Sequence, residues 1–171
     1  IYLMKLKKQD KLKKLYEKAY SIKEKYVGRK AYYRGLIEFS NRCVKNCYYC
    51  GIRSGNENVE RFDMSGDEII KMAKWAYENN YGSVTLQSGE RQDKNFEKFV
   101  KDMILDIKKV SDGKLGLTLC LGEQTEDIYR EWFEAGGHRY LLRIETTNEE
   151  LYKVIHPDNN IKKKKKRVDC L

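Results

Sequence analysis

Two periodicities alternate along this chain: short continuous apolar runs, and longer stretches in which apolar residues recur every three or four positions. Leu12, Leu15, Tyr16, Ala19 and Tyr20 predict an amphipathic first helix. Arg34 to Asn41 (RGLIEFSN) reads as a buried strand that runs into a cysteine-rich loop. Ser65 and Glu68 form a capping box ahead of Ile69, Ile70, Ala73, Ala76 and Tyr77, which predicts a second helix. Ser83 to Gln87 (SVTLQ) is the next strand. Phe96, Phe99, Val100, Met103, Ile104, Ile107 and Val110 then trace one face of a long helix. A strand over Leu115 to Leu121 leads to a helix from about Thr125 that carries Ile128 and Trp132 and stops at Gly136-Gly137. Tyr140 to Ile144 (YLLRI) predicts a fourth strand, and Thr147 with Glu150 a second capping box opening a short helix before Pro157. Four strands alternating with helices over short connections imply βαβ units and a parallel sheet.

At 171 residues and 20.3 kDa the chain can bury one core but is short for two domains. Mean hydropathy is -0.79, and no apolar run approaches the roughly 20 residues of a membrane-spanning helix. No secretory leader pattern is present, so a cytoplasmic location is expected. The net charge of +9 suggests nucleic acid until its distribution is considered. Residues 1–30 hold eleven basic and three acidic side chains, and Lys162 to Arg167 is an unbroken basic run, so the excess sits at the two ends and the middle is slightly acidic. Aromatic residues that could stack on bases are not interleaved with the lysines, so nucleic acid is not an expected partner. The chain opens with Ile1 and stops at Leu171 just after what reads as the start of another helix, and is read as an N-terminal fragment.

Three of the five cysteines lie in C-V-K-N-C-Y-Y-C, at Cys43, Cys47 and Cys50. Three thiolates in one loop can hold three corners of a four-iron, four-sulfur (4Fe-4S) cluster and leave one iron open to chelate a small molecule. A structural zinc site is the competing reading, but its fourth ligand would have to come from distant Cys120, His138 or His156. Disulfides fit poorly with an odd cluster in a cytosolic chain.

CxxxCxxC after a first strand, with Tyr49 before its third cysteine, resembles the signature of the radical S-adenosylmethionine (SAM) superfamily. The wider set, R-G-L-I-E-F-S-N-R-C-V-K-N-C-Y-Y-C-G-I-R, L-Q-S-G-E, L-C-L-G-E, Y-L-L-R-I-E-T and I-H-P-D, resembles the HydE-type maturases of iron-iron hydrogenase over about residues 30 to 171. The lysine-rich residues 1–30 read as a peripheral helical extension, and the resemblance implies, over 31–171, the N-terminal half of a (β/α) TIM-like barrel with about four βα units. Its implied cofactors are a 4Fe-4S cluster and SAM, and its implied activity is reductive cleavage of SAM to a 5'-deoxyadenosyl radical. The implied partners are a small-molecule or iron-complex substrate, an electron-donor protein and other hydrogenase maturation proteins, without a membrane.

By the same resemblance Cys43, Cys47 and Cys50 are the cluster ligands and Tyr49 lies along the adenine. Ser88-Gly89-Glu90 stands where the superfamily has G-G-E, which receives the methionine amino group, and Gln87 faces the same cavity. Arg143 and Glu145 belong to the SAM end of the pocket, Thr118 lines the substrate cavity, and Arg167 reaches the SAM carboxylate. Independently of resemblance, the cysteine loop, S-G-E, L-G-E and R-I-E-T follow four successive predicted strands, at the end where α/β barrels build their sites. Plainer readings remain for single residues. Glu90 and Glu123 could each simply open a helix, Arg143 and Glu145 could be a structural ion pair, and Cys120 could be a small buried side chain. Related radical-SAM enzymes such as methylornithine synthase or biotin synthase, and a non-catalytic iron-sulfur or zinc module, are the competing functions.

Overall fold

The computed structural model describes residues 2–158. The chain divides between Tyr32 and Tyr33 into two compact units. The first holds a 3-10 turn at Leu3–Lys5 and helix α1, Gln9–Val27. Gly28, at φ 79°, ends α1 with its N–H bonded back to the Lys23 and Glu24 carbonyls, a left-handed position that glycine takes without strain.

The second unit is an alternation of β1 (Arg34–Ser40), α2 (Gly66–Glu78), β2 (Ser83–Ser88), α3 (Lys94–Val110), β3 (Gly116–Cys120), α4 (Glu126–Glu134), β4 (Arg139–Tyr140) and α5 (Glu149–Ile155). The four strands form one parallel sheet in the order β1-β2-β3-β4, each crossing to its neighbour through a helix. Side chains alternate across it. Ile37, Phe39, Val84, Leu86, Leu117 and Leu119 are buried in one core with Ile69 and Ala73 of α2, Phe96, Val100, Ile104 and Ile107 of α3, and Trp132 of α4. The opposite face carries Glu38, Gln87 and Cys120, which the register sets side by side, and one row back Leu36, Thr85 and Thr118.

Local chemistry starts the helices where patterning places them. Ser65 Oγ accepts the Glu68 N–H while Glu68 accepts the Ser65 N–H at 2.8 Å, the full capping box. Asp93 caps α3 through the Phe96 N–H at 2.9 Å.

Two expectations need correction. The fourth strand is Arg139–Tyr140 and not Tyr140 to Ile144. It follows β3 only through Thr118↔Arg139, Leu119↔Tyr140 and the Leu141 N–H to Leu119 carbonyl bond, because β3 ends at Cys120 and the chain turns away at Gly122 with φ 78°. Beyond that point residues 142–145 have no ladder partner on β3. Glu145, at φ 65°, departs from extended backbone altogether. The last helix is capped by Asn148 rather than Thr147. The helix begins at Glu149, which places the Leu151 N–H within 3.0 Å of Asn148 Oδ1, and Glu150 pairs with Lys153 instead of closing a box.

Candidate active site

Beyond the C-terminal ends of the strands lies a cavity of about 380 Å³. The loop after β1 brings Cys43, Cys47, Tyr49 and Cys50 to it, the end of β2 and the turn after it bring Gln87, Ser88, Gly89 and Glu90, and the segment after β4 brings Arg143 and Glu145. Thr118 shares the sheet face of Cys120 but sits two residues back along β3 and does not line the cavity. Arg167 lies outside the described residues.

The cysteine loop has little regular structure, so side chains hold its shape. Arg61 is its hub: the guanidinium donates to the carbonyls of Asn41 and Arg53 at 2.7 Å, Ile52 at 2.8 Å and Asn56 at 3.1 Å. A planar fork with five donors is suited to gathering several carbonyls at once. Asn41 ties the loop's start to its return, donating to the Glu60 carbonyl at 2.7 Å and accepting the Phe62 N–H at 2.9 Å. Asp63 accepts from Ser40 Oγ and Arg42 Nε, both at 2.6 Å. Partial burial pushes the Asp63 carboxyl up, but those two hydrogen bonds and the Arg42 charge outweigh it and hold the group below its ordinary range.

Gly89 allows the closest approach in the site. A Cβ there would strike the Arg42 carbonyl oxygen and lie 2.7 Å from Cys43 Cβ. Without it, the Val44 N–H donates to the Glu90 carbonyl at 3.0 Å and the Glu90 N–H points at Cys43 Sγ at 3.3 Å. The Lys45 N–H faces the same sulfur at 3.4 Å. Two backbone donors thus meet one sulfur, the kind of hydrogen bond that tunes thiolate-held clusters.

Glu90 is buried beside Gly122, accepting the Glu123 N–H at 3.0 Å and Gln92 Nε2 at 3.1 Å, with Lys45 Nζ at 3.2 Å. Burial pushes its carboxyl up, the Glu123 N–H and Lys45 pull it down, and the upward effect prevails. The Cys47 thiol is likewise raised, first by burial and further by Cys43 and Cys50.

Sequence reasoning missed four participants. Lys45 pairs with Glu90, and Glu38 accepts from Gln87 Nε2 at 2.6 Å. Cys120 lines the cavity; burial raises its thiol, while the Arg143 charge and hydrogen bond lower it. His156, named above only as a distant zinc-ligand candidate, is buried and accepts the Tyr49 hydroxyl at 2.8 Å through Nε2. Its Nδ1 lies 3.1 Å from the Tyr152 carbonyl, which can only accept, so the proton sits on Nδ1 and Nε2 is the acceptor. The same segment holds the cysteine loop twice more, through Tyr48 N–H to the Ile155 carbonyl at 3.0 Å and Asn46 N–H to Asp158 Oδ2 at 2.8 Å. The I-H-P-D motif was the available signal.

Three sulfur donors, a buried carboxylate with a cation beside it, Arg143 and Glu145 line one cavity, a lining suited to a polar, charged small molecule beside thiolates. Among the described residues no three His, Cys, Asp or Glu side chains are set close enough to hold a single metal ion. In a cubane cluster three cysteines sit on three different irons, so the donor set fits that group without such convergence.

The family model described as the Radical SAM superfamily matches residues 37–171. Over 157 residues the chain is 40% identical to the [FeFe] hydrogenase maturase subunit HydE of Thermotoga maritima, covering 92% of this chain and 43% of that protein. The solved structure of HydG, a maturase of the [FeFe]-hydrogenase, superposes with a TM-score of 0.81 at 23% identity over 98% of this chain and 38% of that one. That of methylornithine synthase gives 0.80 at 23% identity over 99% and 49%. The chain thus spans less than half the length of these relatives, and the two structures speak to fold alone.

Proposed function

The chain belongs to the radical SAM superfamily, and on that footing we propose that Cys43, Cys47 and Cys50 hold a 4Fe-4S cluster and that the adjoining cavity binds SAM. Held there by Cys43, Cys47 and Cys50, the cluster would supply the one electron needed for reductive cleavage of SAM to methionine and a 5'-deoxyadenosyl radical. The chain's own residues bind and orient. Glu90, with Ser88 and Gly89, receives the α-ammonium group; Arg143 and Glu145 hold the amino-acid end; Gln87 faces the same space; and Tyr49 offers its ring to the adenine. Arg167 is the proposed partner of the carboxylate, and Thr118 serves a substrate that extends along the polar face of the sheet.

One observation carries this reading: the cysteine loop and the S-G-E turn are locked together at Gly89, with the Glu90 N–H on Cys43 Sγ and the Val44 N–H on the Glu90 carbonyl. Gly89 thereby keeps Cys43 and Glu90 side by side, which supports reading one as a cluster ligand and the other as the ammonium's partner. The 40% identity to HydE supports maturation of the iron-iron hydrogenase active-site cluster as the process served. A small-molecule or iron-complex substrate, an electron-donor protein and the other maturation proteins are the partners in this reading. No helix among the described residues is long and apolar enough to cross a membrane, and we place the protein in the cytoplasm. The 1–30 segment is assigned as a helical extension of a barrel domain that begins near residue 31.

The test is anaerobic reconstitution followed by iron analysis and SAM turnover with a strong reductant. The unaltered protein is expected to hold one cluster and release 5'-deoxyadenosine; Cys47→Ala should lose the cluster, and Glu90→Gln and Arg143→Met should keep iron but lose cleavage. A stoichiometric cluster in Cys47→Ala, or undiminished cleavage in both other variants, refutes the assignment.

A further inference from the structure

The carboxylate assigned to the ligand's ammonium already has an ammonium beside it. Lys45 Nζ stands 3.2 Å from Glu90 Oε1, the lysine side chain one-fifth exposed and the glutamate side chain 9% exposed. Glu90 Oε1 also accepts from Gln92 Nε2, and Oε2 accepts the Glu123 N–H. A carboxylate offers about four acceptor positions, and three are thus engaged. A second ammonium at the same buried carboxylate would meet Lys45 at short range, where little water screens like charges.

The backbone of Lys45 cannot yield to relieve this. Its N–H faces Cys43 Sγ, and its carbonyl accepts the Ser54 N–H at 2.8 Å. Its side chain can yield, because a long, partly exposed stem lets the charged head swing into water. Exchange of one cation for another leaves the charge around Glu90 unchanged, so Glu90 is never left buried and unpaired.

Resting on the function proposed above, we propose that Lys45 is an internal stand-in for the α-ammonium of SAM: it neutralises Glu90 before the ligand arrives and is displaced by it. Lys45 is therefore a positioning residue that makes SAM binding a competition. It lowers affinity for ligands that carry an ammonium, has no effect on the nucleoside part, and keeps the carboxylate oriented toward the cavity meanwhile.

Equilibrium dialysis under anaerobic conditions, on reconstituted protein of matched iron content, tests this with two probes: SAM, and 5'-methylthioadenosine, which has the nucleoside and sulfur but no amino-acid end. Lys45→Met is expected to bind SAM about fivefold more tightly, the shift expected for loss of one partly buried ion pair. Its affinity for 5'-methylthioadenosine should stay within about twofold, and Lys45→Arg, which restores the cation, should match the unaltered protein for both probes. Lys45→Gln replaces Lys45→Met if the latter does not retain iron. Unchanged or weaker SAM binding in the neutral variant overturns the proposal, as does a parallel change for both probes, which would report a merely structural role. If the unaltered, cluster-bearing protein binds no SAM, the proposed function itself falls and this inference with it. Binding that is present but insensitive to Lys45 overturns only the inference.

Discussion

A single methyl group at Gly89 should unseat the cysteine loop. An alanine Cβ there would press on the Arg42 carbonyl oxygen, stand 2.7 Å from Cys43 Cβ and 2.8 Å from the Arg42 carbonyl carbon, where carbon atoms prefer about 3.5–4.0 Å. All three atoms belong to backbone or to the root of a side chain, so none can rotate aside. The 88–90 turn and the 42–44 segment must part by on the order of 1 Å, and that movement strains the Val44 to Glu90 bond at 3.0 Å and the Gly89 N–H to Ser40 carbonyl bond at 3.3 Å. Overpacking costs about 1–3 kcal/mol, and two weakened hydrogen bonds add about 1 kcal/mol between them. A total of about 3 kcal/mol corresponds to a Tm lower by roughly 6–12 °C for a chain of this size. Gly51 is the control: it adjoins Cys50, yet a Cβ there meets nothing within 4 Å, so Gly51→Ala should stay within about 0.5 kcal/mol. Thermal melts by far-UV circular dichroism, with iron per chain after reconstitution, decide between the outcomes. If Gly89→Ala melts within about 1 °C of the unaltered protein and takes up the same iron, or if Gly51→Ala is equally damaging, the close-approach argument is wrong.

Replacing His156 by Phe keeps a ring to stack on Tyr152 but removes the acceptor of the Tyr49 hydroxyl, so about 1–2 kcal/mol of stability should be lost. Tyr49→Phe should cost no further stability in that background, and additive losses in a denaturant double-mutant cycle would disprove the pairing. Asp63, held below its ordinary range, contributes stability that is present above the unfolded carboxylate pKa and is lost as pH falls through the lower folded value. The stability gap between the unaltered protein and Asp63→Asn should therefore shrink as pH drops from neutral toward about 3, and a gap that stays constant would contradict the assignment.

The helical and strand periods, the Ser65 capping box and the CxxxCxxC spacing are local, carried by residues within a turn or two of one another, and they sufficed for the alternating order of elements and for the grouping of the cysteine loop, S-G-E and R-I-E-T at one end of a parallel sheet. Tertiary structure decided what depends on partners far apart in sequence. The fourth strand is short because β3 turns away at Gly122, a fact about the neighbouring strand that no pattern within Tyr140 to Ile144 could carry. Thr118 falls a row behind the cavity because pairing register sets its depth, and periodicity fixes only its face. Arg61 shows no local signature, and I-H-P-D marks His156 without marking its partner, since an arginine gathering four carbonyls and a histidine meeting Tyr49 across 107 residues exist only once the loop is folded. Lys45 belongs to the motif itself, yet its pairing with Glu90 depends on Gly89 letting two loops touch. Spacing singled out the three cysteines, and close packing between segments distant in the chain decided which charges face one another beside them.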